Sequence, residues 1–443
     1  MWFALAVAGF ATRSERMGVT SFVRSLSLKP KAYDSLLRFF HSSAVDLDVL
    51  SKAWLGLVLK VAPSVVTVRG RICLVGDGIK CSKSGRRMPA VKRLHQSSDS
   101  NTKPEFIMGH SLQALGLLCK VGGYAFCVPI IARIHEGIVL CNADKRTQID
   151  RMILMVMGLL GDAVKANVIL DAYYCSGKSA KGLVAQGHHL IVRCKKKTVA
   201  YLPLEPEVGP KRRGRPRKYG AKKRVIDHLL TMPAIPMERC LYGEKAPSAV
   251  YRRAELLWRP TGKKALFVLV EHPKKGRILL MTTDLEMNPE SVAELYSYRF
   301  KIEVSFKQSI YTLGAYQYHF WMKAMDKIKR NGGNQHLHRK SKSYREKVER
   351  KIGAYHRYIQ TAMIAQGMLQ LLSATAGNLV WTHFRSWLRT VRHGVSPTEF
   401  VCSTALRNSL PDFLAGRLKD AILQKFINDR IDPLTARNER RAA

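Results

Sequence analysis

Residues 296–314 read YSYRFKIEVSFKQSIYTLG. As a helix, this stretch sets Tyr296, Arg299 and Glu303 at positions i, i+3 and i+7, within about 60° of one another at 3.6 residues per turn. Leu295, Phe300, Ile302, Val304 and Phe306 crowd the same segment and predict burial on most sides. Buried charges are costly unless they are paired or bound to metal. A metal-binding carboxylate beside a phosphate-binding arginine accounts for both charges.

Two apolar runs supply partners for Glu303. VTVRGRICLVGDG (66–78) is rich in β-branched residues and reads as a strand running into a turn at Asp77. NVILDAYY (167–174) reads as a second strand ending at Asp171. Taken singly, an Asp at a strand end is more often a turn or cap residue. Taken together, Asp77, Asp171 and Glu303 are hard oxygen donors suited to Mg²⁺, with Mn²⁺ as a substitute. Two such ions about 4 Å apart serve in-line displacement at phosphorus.

The charge balance points to the same chemistry. Lys and Arg number 74 against 33 acidic residues, a net charge of +41. Such an excess implies a polyanionic partner, most simply nucleic acid. No run of 18 apolar residues is present to span a bilayer. The nine cysteines are scattered, odd in number and free of CxxC pairs, which argues against a disulfide framework or zinc ribbon and for a reducing cytosol. The start, MWFALAVAGFATRSER, has a short apolar run but no preceding basic residue, so it fits a secretion signal poorly; Met17 is an alternative start.

Outward from the acids, residues 1–62 read as a helical DNA-binding module and 63–194 as the first part of an α/β core. Segment 147–164 has helical spacing, with Asp150 near its start. Residues 195–283 read as a β-rich stretch interrupted by the basic loop 205–224. Residues 284–325 hold the Glu303 helix, and 326–443 combine a basic segment with a helical C-terminal region in which Trp381 and Trp387 are expected to pack inside. His188 and His189 lack metal-ligand spacing and read as structural.

Around the acids the chain resembles DDE transposases of the bacterial insertion-sequence-four type. That group carries Tyr, two residues, Arg, three residues, Glu, six residues, Lys. The chain matches at Tyr296, Arg299 and Glu303 and departs at Ile310, with Lys307 one turn earlier on the same face. GDGIKCSKSGRRMP around Asp77 and VILDAYYCSGK around Asp171 are similar to the group's two Asp motifs. The resemblance spans roughly 70–320. It implies an RNase H-like mixed sheet with flanking helices and a β-rich insertion between the second Asp and the Glu. It also implies Mg²⁺ held by Asp77, Asp171 and Glu303, and phosphate contacts from Arg299 and Tyr296.

Double-stranded DNA, both element terminal inverted repeats and target, is then the expected partner, with a homodimer joining two ends and a bacterial, nucleoid-associated location. Lys80, Lys83, Arg86 and Arg87 follow the first acid and are expected on phosphates. KRRGRPRKYG (211–220) resembles an AT-hook, placing Arg213, Arg215 and Arg217 in a narrow minor groove. A solvated basic linker reads almost equally well there. An RNase H-like nuclease without strand transfer, and a decayed DNA-binding copy, stay open beside the transposase.

Overall fold

The computed structural model describes residues 1–96, 104–204, 217–239, 241, 249–416 and 420–432, with main chain alone for 411–416. Four helices come first: α1 (Trp2–Thr12), α2 (Thr20–Ser25), α3 (Ala32–His41) and α4 (Leu47–Val61). Asp46 caps α4 by accepting from the amides of Asp48 and Val49. Strands β1 (Thr67–Val68), β2 (Arg71–Ser82), β3 (Lys92–His95), β4 (Phe106–Val121), β5 (Tyr124–Ile134) and β6 (Ile138–Val139) follow. Helix α5 (Gln148–Leu160) starts at a capping box of Thr147 and Asp150.

Next come β7 (Ala166–Leu170), α6 (Gly177–Val184), β8 (His189–Arg193), β9 (Val199–Tyr201), β10 (Lys222–Arg224) and α7 (Val225–Leu230). Then follow β11 (Ile235–Pro236), β12 (Val250–Trp258), β13 (Lys263–His272), β14 (Gly276–Thr282), α8 (Pro289–Ser297) and α9 (Lys301–Gln308). The chain continues through β15 (Gln335–His336), α10 (Lys342–Phe384), α11 (Glu399–Gly416) and α12 (Ala421–Asn428).

Thirteen strands share one mixed sheet in the order β10-β9-β12-β13-β14-β8-β7-β2-β4-β3, with β1, β5 and β11 on its margins. At its centre β2, β7 and β8 run parallel, and β4 and β14 flank them antiparallel. β7, Ala-Asn-Val-Ile-Leu, is buried throughout, as expected of a parallel strand covered on both faces. The stretch 195–283 is β-rich, and its strands extend the main sheet, because β14 pairs with β8. With large helices packed on a large mixed sheet, the chain has an α/β architecture.

The N-terminal helices do not stand apart as a small module. Phe10 of α1 and Phe40 of α3 pack against Tyr358 of α10, with ring centroids 4.8 and 5.2 Å apart. One continuous apolar core runs from Leu5 to Ile427. Trp381 is buried as expected, but Trp387 is 91% exposed, because α10 ends at Phe384 and the loop beyond carries it into solvent. Among the described residues no helix is long and apolar enough to cross a membrane.

The 296–314 stretch is not one regular helix. α8 closes at Ser297, a 3₁₀ turn covers Tyr298–Phe300, α9 follows, and a π-helical turn, Ser309–Leu313, ends at Gly314 in the left-handed region. Phe300 and Val304 are exposed, so burial on most sides does not hold for this segment. The apolar residues that do bury, Leu295, Ile302 and Phe306, share the inward face.

Candidate active site

Asp77 does not end its strand. β2 continues through Gly76-Asp77-Gly78 to Ser82, and the glycines serve packing rather than a turn. A Cβ at Gly76 would lie 2.6 Å from Leu170 Cδ2 and 3.3 Å from Met152 Cε of α5. Side chains alternate along a strand, so Asp77 points to the opposite face. There it meets the α9 region. Asp171 immediately follows β7 and caps a 3₁₀ turn, Ala172–Tyr174, accepting from the Tyr173 amide at 3.0 Å. β2 and β7 are paired up to Val75↔Ile169. Asp77 and Asp171 each lie two residues beyond that last pair, Asp171 just past the end of its strand, and the Asp171 carboxylate is close enough to raise the proton affinity of Asp77.

Glu303 arrives on α9, in the first turn. Arg299 joins the two sides: Nη1 donates to Asp77 Oδ2 at 2.9 Å and Nη2 to Glu303 Oε1 at 2.5 Å. Asp77 and Arg299 each keep 19% side-chain exposure, whereas Glu303 is open to solvent. Burial pushes the Asp77 carboxyl up to about 6, against the pull of Arg299 and the Gly78 amide; Asp171 and Glu303 add to the rise. Asp171 is also raised, by burial first. Arg299 is held more firmly protonated by Asp77 and Glu303 despite the desolvation that opposes it.

The acids are hard oxygen donors. In kind, the set fits a hard divalent cation. In spacing it is not closed: among the described residues no three His, Cys, Asp or Glu side chains stand close enough to share one ion. The Arg299 guanidinium supplies the cationic charge between Asp77 and Glu303.

Polar contacts below this surface hold the elements in place. Gln366 of α10, fully buried, donates to the Ser305 carbonyl at 2.9 Å and accepts from Ser309 Oγ, seating α9 and the π turn. Arg13, beyond α1, donates through Nε to the Leu313 carbonyl at 3.0 Å. Beneath the two Asp residues, Gln113 donates to Tyr174 Oη at 2.9 Å. Sequence reasoning missed these three supports. Only Tyr174 carried a signal, through its place just after Asp171.

The remaining expected residues divide. Tyr296 is half-buried and lies within the electrostatic reach of Arg299. Lys307 is exposed one turn after Glu303, while Ile310 is packed against the core. Arg86 and Lys80 are exposed, although Lys80 also donates to the His95 carbonyl at 2.6 Å. Arg87 is half-buried and bonds the Lys323 carbonyl. Lys83 is corrected: it is 5% exposed, donates to the carbonyls of Tyr316 and Tyr318, and is turned inward, away from any phosphate. Burial lowers its ammonium to about 8. Arg213 and Arg215 of the AT-hook-like run lie outside the described residues, and Arg217 is exposed at their border. His188 is structural, its Nδ1 accepting from the Ala166 amide at 3.2 Å.

No curated protein matches the chain. Residues 138–354 match the family model of the transposase DDE domain, a span that takes in Asp171 and Glu303, begins after Asp77, and supports a DDE transposase acting on DNA.

Proposed function

We propose that the chain is a transposase of the insertion-sequence-four type on an RNase H-like core, cutting at element ends and joining them to target DNA. The observation that carries this reading is that Arg299 bonds both Asp77 and Glu303, with Asp171 within its electrostatic reach. Asp77, Asp171 and Glu303 would hold Mg²⁺, or Mn²⁺ in its place, in a two-ion arrangement. Bound there, the ions supply Lewis acidity for activating the attacking oxygen and stabilising the leaving one.

The chain's own residues do the rest. Arg299, paired with Asp77 and Glu303, would offer its planar fork to a backbone phosphate once those acids held cations. Tyr296 lies on the same surface to position the adjacent phosphate. Lys307 stands in for the signature lysine replaced by Ile310, one turn beyond Glu303 and free in solvent. Exposed Arg86, Lys80 and Arg217 extend the cationic path for duplex DNA. Two element ends must be held together, so the working form is a homodimer, located with the bacterial nucleoid.

The test is a strand-transfer assay with a duplex donor carrying a free 3′-OH end and Mg²⁺. Joined donor–target products are expected. Cutting without joining would instead mark a hydrolase, and intact activity in Asp77→Ala, Asp171→Ala and Glu303→Ala would remove the catalytic assignment.

A further inference from the structure

Four residues after Asp171, the turn it caps ends at Cys175, and the strand beside it, β8, is followed at once by Cys194. The two sulfurs lie 3.5 Å apart, in contact. Cys194 is buried, and its amide donates to the Leu279 carbonyl of β14 at 2.8 Å, which anchors it to the sheet. Cys175 is half-buried, so one member of the pair is open to a reagent from solvent while the other waits behind it. Both thiols are free. The contact with Cys194 lowers the Cys175 thiol, with Lys195 adding to it and burial opposing. An accessible thiol of lowered pKa next to a resolving thiol is the arrangement of an oxidisable pair.

We propose that Cys175 and Cys194 are a modification site that takes a disulfide from a small disulfide oxidant such as glutathione disulfide, and that the bond clamps the Asp171 turn to the end of β8. The exchange balances. The Cys175 thiolate attacks one sulfur of glutathione disulfide and expels one glutathione thiolate. Cys194 loses its proton and attacks the Cys175 sulfur, expelling the second. Two protein thiols are oxidised to one disulfide, and one glutathione disulfide is reduced to two glutathione thiols, which take up the two protons. A sulfur–sulfur bond is about 2.05 Å, so closing the 3.5 Å gap ties the chain at Cys175 covalently to the end of β8. That tie bears on the 3₁₀ turn whose Tyr173 amide holds the Asp171 carboxylate.

The experiment uses the full chain, reduced and then exposed to glutathione disulfide near pH 8. It is quenched by denaturation with N-ethylmaleimide and weighed intact. Two fewer maleimide adducts are expected than in the reduced chain, with a cross-linked peptide joining Cys175 to Cys194 and full recovery in dithiothreitol. Cys194→Ser should instead carry a single glutathione on Cys175, and Cys119→Ser, in the buried core, should still lose two adducts. Hydrogen exchange at residues 171–176 should slow by about tenfold on oxidation. No loss of adducts, or a cross-link between other cysteines, overturns the pair. Unchanged exchange overturns the clamp. These readouts need no DNA cleavage, so they fail or succeed separately from the transposase reading. On that reading, oxidation should also lower nicking in the parent chain, with full recovery in dithiothreitol.

Discussion

Arg299 and Asp77, 222 residues apart in the chain, form an ion pair at 2.9 Å in which both side chains are largely buried. The pair makes Arg299 a keeper of the acid's charge. Without the guanidinium, burial and the neighbouring carboxylates act on Asp77 unopposed, and its pKa climbs further above about 6. Arg299→Ala is therefore expected to lower DNA nicking by roughly 100-fold and to move the acid limb of the pH–rate profile upward. Nicking measured from pH 5 to 9 checks both, and an unmoved limb would refute the coupling.

A second expectation concerns stability. Asp77 has a folded pKa of about 6 against an ordinary value of 3.8, so the folded chain binds its proton more tightly than the unfolded one. The carboxylate's contribution to stability falls as pH rises between these values, and its cost is complete above about 6. Asp77→Asn should thus abolish nicking yet stabilise the metal-free chain by roughly 1–3 kcal/mol at neutral pH. At pH 4 the gain should largely vanish. Urea unfolding of both chains at the two pH values measures it.

Divalent cation binding should follow the same titration in the opposite sense. A cation requires the ionised carboxylate, so below about pH 6 it competes with the proton on Asp77. Calorimetric titration with Mn²⁺ is expected to show affinity weakening by about tenfold from pH 7 to 5. A pH-independent affinity would place the ion away from Asp77.

Gln366 offers a test of the scaffold alone. It is fully buried and serves Ser305 and Ser309 at once. Gln366→Ala removes the buried donor to Ser305 and the acceptor of the Ser309 hydroxyl and should cost about 1–3 kcal/mol. Nicking should fall because α9 loses its seat, although no acid is touched. Gln366→Glu, of the same shape but without the amide N–H that serves the Ser305 carbonyl, should not recover the activity.

Removal of residues 1–16 should be severe. It takes Leu5 and Phe10 from the core and the Arg13 contact from Leu313. The loss should exceed the ~3–5 kcal/mol typical of truncating a single buried Phe. Thermal unfolding of a chain begun at Met17 checks this; an unchanged melting temperature would mean that α1 is dispensable.

Much of this was legible in local pattern, and the failures share a cause. The apolar run ending at Asp171 reads directly as a buried strand, and the spacing of Arg299 and Glu303 places both on one surface. Gly-Asp-Gly misleads, because it is a turn signal unless distant side chains crowd the glycine, as Leu170 and Met152 do at Gly76. Lys83 looks like part of an exposed basic loop. Its carbonyl partners, Tyr316 and Tyr318, are more than two hundred residues away and leave no mark beside it. Arg299 could be found from spacing, but its bond to Asp77 could not. Trp387 failed in the opposite sense, since its apolar character says nothing of where α10 stops.

Asp77 lies on β2 and Asp171 just past the end of β7, each two residues beyond the last β2–β7 pair, while Glu303 rides on a segment jointed by a 3₁₀ turn before it and a π turn after it. Their separation is thus inherited from hydrogen-bond register, which admits only whole-residue steps. The third acid has continuous latitude, adjustable by substitutions in α10 or at Arg13 that never touch the sheet. Variation in such a site is consequently lopsided: two coordinates are quantised by the fold, and one is free for selection to trim.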